Sequence, residues 1–115
     1  MSIPSILFSY SGRINRFEFW VKGVVVWLAV VLVLETVGLL LRSISDPVGT
    51  VALGGFGVLF IWMYFAIVVK RCHDRGGSGW WSLLTLVPFI GTLYFIIACG
   101  MLAGDAHDNR YGPQP

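Results

Sequence analysis

Three apolar runs, residues 23–41, 48–69 and 80–102, are 19, 22 and 23 residues long and together hold a single charged side chain, Glu35. A bilayer hydrocarbon core about 30 Å thick needs about 20 apolar residues at 1.5 Å of rise each. Each run is long enough. A soluble chain of 115 residues could not bury this much apolar surface: 57% of the residues are hydrophobic and only 12% charged, against roughly 25% charged in an average soluble domain. The expected fold is all-α, an integral membrane protein with three transmembrane helices in one domain. The third helix carries Pro88 and Gly91 in "LVPFIG" and is expected to be kinked or broken there.

The first run is longer than the roughly 7–15 residues of a signal-peptide core, so it reads as an uncleaved anchor. The organisation that follows is an interfacial N-terminal segment (1–15), helices over 16–41, 48–69 and 80–102, and a polar tail (103–115). Asn15 and Glu18 have the spacing of a capping box, which places the start of the first helix near Arg16. Phe17, Phe19 and Trp20 supply an interfacial aromatic belt, and Lys22 can snorkel back to the headgroups. Asp46 before Pro47 reads as an N-cap for the second helix. That helix contains "GGFG" (Gly54, Gly55, Gly57), where small residues allow another backbone to approach. Gly100 and Gly104 make one GxxxG spacing. Cys72 and Cys99 show no CxxC pattern, and no disulfide is expected between them.

Orientation follows from the cations. With the N-terminus inside, Arg13, Arg16, Lys22, Lys70, Arg71 and Arg75 lie on the cytoplasmic side, and only Arg42 and Arg110 outside, a clear positive-inside bias. Three spans put the C-terminus outside, in the periplasm. A break at Pro88 that turned the third run into a re-entrant pair would return the tail inside, with each arm too short to span.

Four pieces of sequence, "SGRINRFEFW", "KRCHDRGGSGWW", "VPFIG" and "DNRYGPQP", occur in an order and at spacings that resemble the YhaH/YhaI-like small bacterial inner-membrane proteins, the domain of unknown function numbered 805. The resemblance covers residues 8–115. It implies a multi-pass helical protein of the bacterial cytoplasmic membrane and brings no established activity, substrate or cofactor. The recurrent polar positions it implies are Gly12, Arg13, Arg16, Glu18 and Trp20 in the first motif. In the loop they are Arg71, His73, Asp74, Ser78, Gly79 and Trp80, and in the tail Asn109, Arg110, Gly112 and Pro113. Cys72 stands where such relatives usually carry a bulky aliphatic, which counts against it as a ligand. Gly77 stands where a basic residue is frequent.

The loop at 70–81 admits three readings. In the structural one, Lys70, Arg71, His73 and Arg75 complement a helix C-terminus, Gly76 and Gly77 end the helix, Ser78 caps the next, and Trp80 and Trp81 anchor it. Asp74 then pairs internally, with Arg13 or Arg16. In the second, Arg13, Arg16, Glu18, Arg71, His73, Asp74, Arg75 and Ser78 form a polar cluster that binds anions such as phospholipid headgroups. In the third, His73 and Asp74 do acid–base chemistry. Adjacent helical residues diverge, no nucleophile motif is present, and His73, His107 and Cys72 have no metal-ligand spacing. The expectation is therefore no cofactor and no metal, and the reading leans away from an enzyme without settling it. Glu35, the intramembrane acid, is a functional candidate by default.

The function expected from these readings is a small inner-membrane interaction or envelope-homeostasis component with a basic cytoplasmic face. Its expected partners are membrane lipids and a membrane protein or further copies of itself, with no nucleic acid. The alternative is a small oligomeric transport or channel component that uses Glu35.

Overall fold

The computed structural model describes residues 1–115 and is helical throughout. A short helix, α1 (Ile3–Phe8), precedes a long one, α2 (Glu18–Ile44), whose opening stretch Glu18–Val24 is wound as a π-helix before the α-helical Val25–Ile44. A one-residue corner at Ser45 leads into α3 (Asp46–Asp74). A 3-10 arm (Gly79–Leu86) and α4 (Ile90–Cys99, π-wound from Tyr94) complete the helices, and the tail docks without regular structure.

The capping box forms at the expected place. The Glu18 amide donates to Asn15 Oδ1 at 2.8 Å, and the Asn15 amide donates to Glu18 Oε1 at 3.4 Å. Helical geometry accordingly begins at Arg16. The corner between α2 and α3 differs from its expectation. Asp46 is already helical, Ser45 holds the N-cap position without a side-chain bond, and Asp46 instead accepts from Arg42 Nε at 2.8 Å. The corner is this tight because Gly49 lets α3 lie directly on the Arg42 backbone.

Two helices, α2 and α3, are long and apolar enough to cross a membrane. Helix α3 runs five residues beyond the expected end at 69, because Lys70, Arg71 and Asp74 find partners that let them stay buried. The helix expected over 80–102 is broken, as its Pro88 and Gly91 imply, into a 3-10 arm and α4. Pro88 lacks an amide to continue a helix. Phe89 sits at φ 63°, ψ −59°, where the Ile90 amide turns back onto the Pro88 carbonyl at 2.7 Å, the geometry of a strained γ-turn. Gly91 permits the fold-back, since a Cβ there would overlap the Thr85 carbonyl. The 3-10 arm is about 16 Å long at about 2.0 Å per residue, and α4 about 15 Å at 1.5 Å. Neither crosses a core of about 30 Å. The break at Pro88 was legible; two helices rather than three are long and apolar enough to span.

The tail packs against the N-terminal motif and the end of α3. The Asp105 amide donates to the Asp74 carbonyl at 2.7 Å, and Arg13 donates to the carbonyls of Asp105 and His107, both at 2.8 Å. The N-terminal motif, the end of α3 and the tail therefore share one end of the molecule. The core lies just beneath it: Ile6, Leu7, Ile14, Phe19, Met63, Ile67, Val68, Cys72 and Cys99 are buried together. Phe95 stacks on Tyr64 with centroids 6.0 Å apart. At the other end, around Arg42 and Asp46, α2 and α3 pack only on each other.

Asn15→Ala removes the oxygen that caps the Glu18 amide at the helix start. N-cap deletions cost about 1 kcal/mol, so the melting temperature of the protein in detergent should fall while membrane insertion is unchanged. An unaltered melt would show that the cap contributes nothing.

Candidate functional site: a buried polar knot

The last turn of α3 presents Lys70, Arg71 and Asp74, which are 0%, 0% and 3% exposed. Burying charges is tolerated only when they are paired and hydrogen-bonded. Asp74 meets two guanidinium groups. Arg13 Nη2 lies 2.9 Å from its Oδ1, with Nε also in range, and Arg71 Nη1 pairs with its Oδ2. One carboxylate thus bridges a cation of its own helix and one delivered by the N-terminal motif, placed by the bend at Gly12 (φ 93°).

Backbone carbonyls take most of the remaining guanidinium hydrogens. Besides the Asp105 and His107 carbonyls, Arg13 reaches that of Gly112 at 3.2 Å. Arg71 donates to the carbonyls of Ile14, Cys99 and Leu102. Arg16 adds the Met101 carbonyl and the Trp20 indole that of Gly100, both at 2.9 Å. Helix α4 has no basic residue in its own last turn, and its end is capped by these three side chains from elsewhere. Free C-terminal carbonyls of a helix attract cations. Here that attraction anchors α4 and the tail at the start of α2 and the end of α3. Gly100 and Gly104, read in the sequence as a helix-packing pair, serve the knot: the first admits the Trp20 ring and the second the Asp74 carboxylate.

Lys70 does the same for α1. Its ammonium donates to the carbonyls of Ser5, Ile6 and Ser9, at 2.6 Å for the first and last. Tyr10 donates to the Trp62 carbonyl at 2.8 Å while the Trp62 indole donates to that of Phe8 at 3.1 Å, so α1 is clamped on α3 from both sides. Burial pushes the Tyr10 phenol above its usual 10.0, which keeps the donor proton in place.

The tail motif has its own turn. Asn109 and Gly112 exchange backbone bonds of 3.1 and 3.0 Å, with Gly112 at φ 135°. Asn109 Nδ2 donates to the His73 carbonyl at 3.0 Å and to Asp105 Oδ2 at 2.8 Å. Tyr111 stacks on the His73 ring at 3.9 Å and 4°, and Arg110 lies 4.8 Å from the opposite ring of the pair, that of Tyr111. His73 Nδ1 lies 3.1 Å from the Gly12 carbonyl, which can only accept, so that nitrogen carries the proton.

Of the residues singled out in the sequence, Arg13, Arg16, Arg71, His73 and Asp74 come together with Asn109 around the knot, while Glu18 pairs with the Asn15 amide and the N-terminal ammonium, the latter at 3.0 Å. The Arg75 side chain is exposed and makes no hydrogen bond or ion pair, and Ser78 caps the 3-10 arm through the Trp80 amide at 3.3 Å. Glu35 is distant, half-buried on α2 and without a hydrogen bond or ion pair. Sequence reasoning missed Lys70 as the cap of α1, and Asp105 and Tyr111 as partners of the loop. No local spacing signals them, since each acts across more than thirty residues.

These features define a helical protein with a two-helix apolar hairpin closed at one end by a buried polar knot. The family described as "Protein of unknown function (DUF805)" matches residues 7–113, so all four pieces that carry the sequence resemblance fall within or almost within it. The chain belongs to this family. It is 33% identical over 113 residues to the inner membrane protein YhaH of Escherichia coli (strain K12), covering 92% of this chain and 86% of that protein. It is 30% identical over 119 residues to the inner membrane protein YhaI of the same strain, covering 100% and 92%. The uncharacterized protein YiiR of that strain is 32% identical over 137 residues, covering 97% and 89%. No solved structure matches.

Asp74→Asn strips the charge that two buried guanidinium groups share. Breaking a buried pair costs about 3–5 kcal/mol, so the variant should lose most of its folded yield. Arg71→Lys should fail comparably, because an ammonium cannot span the Asp74, Cys99 and Leu102 positions at once. Thermal melts of each variant in detergent check this, and wild-type melts for both would refute it.

Proposed function

We propose that the protein is a small inner-membrane component, with two spans and a re-entrant hairpin, whose rigid cytoplasmic cap serves as an interaction platform. The observation that carries the reading is the contact of both chain termini with the end of α3. If α2 and α3 cross the bilayer, Arg13, Arg16, Lys22, Lys70, Arg71, Arg75 and Arg110 all share one side, and of the eight basic residues only Arg42 is left on the other. That asymmetry is stronger than three spans would give, and it supports a cytoplasmic cap. The inner-membrane names of YhaH and YhaI support the same location. Within the cap, Arg13, Arg71 and Lys70 are committed to internal partners. Arg75 and Arg110 are left exposed, and Lys22 half-exposed, to meet lipid headgroups or a membrane protein.

A second reading, an oligomeric transport or channel component, has its own support in Glu35. This acid has no partner within the chain, and a Cβ at Gly54, Gly55 or Gly57 would meet nothing within 4 Å. A further copy would have to bring Glu35 its polar neighbours.

Single cysteines at Ser11, Ser78 and Gln114 in a Cys72→Ala, Cys99→Ala background should react with a membrane-impermeant maleimide only after the inner membrane is opened. A cysteine at Asp46 should react in intact spheroplasts. Labelling of the Gln114 position from outside would sink the re-entrant topology.

A further inference from the structure

Between α1, α3 and the 3-10 arm lies a cavity of about 400 Å³ that the knot does not use. Phe65, Val69, Trp80 and Leu83 give it an apolar wall, and Tyr10, Ser78 and Ser82 set hydroxyl groups along it. We propose that this groove binds one anionic glycerophospholipid, with an acyl segment against the apolar wall and the headgroup toward Ser78. The inference deepens the platform reading and rests on its placement of α2 and α3 across the bilayer.

Depth argues for the occupant. Trp80 and Trp81 are 79% and 57% exposed, and exposed indoles of a spanning protein settle at the headgroup level. The Tyr10–Trp62 pair, with ring centroids 4.8 Å apart, borders the groove at the end of α1. A groove opening at that level faces phospholipid rather than water. Its lining matches such a molecule, because an apolar wall with a few hydroxyls suits an acyl chain that ends in ester oxygens. The hydroxyls are also placed by the fold. Ser82 is 3% exposed, and Gly79 packs its backbone onto Val69 and beside His73 Nε2, where a Cβ would not fit against Val69.

Charge argues for an anionic headgroup. The loop that ends at Ser78 carries Arg75, the exposed cation that the knot leaves free. No carboxylate lines the groove. Basic groups at the cytoplasmic surface favour anionic lipids, by about 1 kcal/mol each near the surface. A zwitterionic lipid could fill the same apolar wall but would gain nothing from Arg75.

The test is native mass spectrometry of the full chain released from vesicles that contain phosphatidylglycerol and phosphatidylethanolamine in equal amounts. Wild type should retain one phosphatidylglycerol per chain. Leu83→Trp, which fills the groove from its half-exposed side, should reduce the retained fraction at least tenfold, and Trp80→Ala, which removes a wall, should do likewise. Val33→Trp, on the bare face of α2, should retain lipid like wild type. Arg75→Gln should keep a lipid but lose the preference for phosphatidylglycerol. If Leu83→Trp melts early, Trp80→Ala decides. Retention by both groove variants at the wild-type level, or equal retention of the two lipids by wild type, overturns the proposal. The topology labelling separates the two claims: correct labelling without lipid retention removes this site and leaves the platform reading standing.

Discussion

Asp74 lies between the guanidinium groups of Arg13 and Arg71, and the connectivity of the whole protein depends on that arrangement. Of the three buried cations, Arg13 and Arg71 share this one carboxylate, and Lys70 is met by backbone carbonyls alone. Their remaining charge is met by backbone carbonyls at three places where chain elements end: α1, α4 and the tail. Each of those ends has unsatisfied acceptors that a lipid environment cannot serve. The cations need acceptors and the ends need donors. Satisfying both at once gathers the N-terminal motif, the end of α3, the end of α4 and the tail into a single cap.

The fold-back of the third apolar run follows from the same requirement. An apolar run of 23 residues is long enough to cross a bilayer, and composition alone favours a third span. Pro88 and the strained Phe89 break it, and Gly91 permits close return. A break alone would leave a free helix end in the apolar layer. The Arg71, Arg16 and Trp20 donors that receive the α4 carbonyls make the return favourable. The bond from the Trp20 indole also suggests why α2 opens as a π-helix: the widened turn lies where Trp20 and Phe19 face α4, with Phe19 and Phe95 centroids 5.3 Å apart. Insertions of this kind recur where a helix must present side chains out of its ordinary phase.

Much of this was legible in the sequence because it is encoded locally. The capping box at Asn15 and Glu18, the start at Arg16, the break at Pro88, the glycine end of α3 and the Ser78 cap all depend on residues within a few positions of one another. Pairing of Asp74 with the N-terminal motif was also legible, as a buried acid among arginines requires an opposite charge. What the sequence did not reveal is where the arginines spend their other hydrogens. Backbone carbonyls of Cys99, Leu102, Asp105 and His107 carry no side-chain signature, so the side on which the tail lies could not be inferred from charge counts. Lys70 was read as complementing its own helix, whereas it closes α1, more than sixty residues earlier. Cations at a helix end report that carbonyls are nearby without reporting whose they are.

In the proposed topology the two ends of the chain meet on one side of the bilayer, held by Arg13. Paired spin labels at Ser11 and Gln114, both exposed and outside the knot, measure this directly in the protein reconstituted in lipid. The account predicts a single, narrow distance distribution well below the hydrocarbon thickness of about 30 Å. A distribution centred at or beyond the full bilayer thickness of about 40–45 Å would place the tail across the membrane and contradict it.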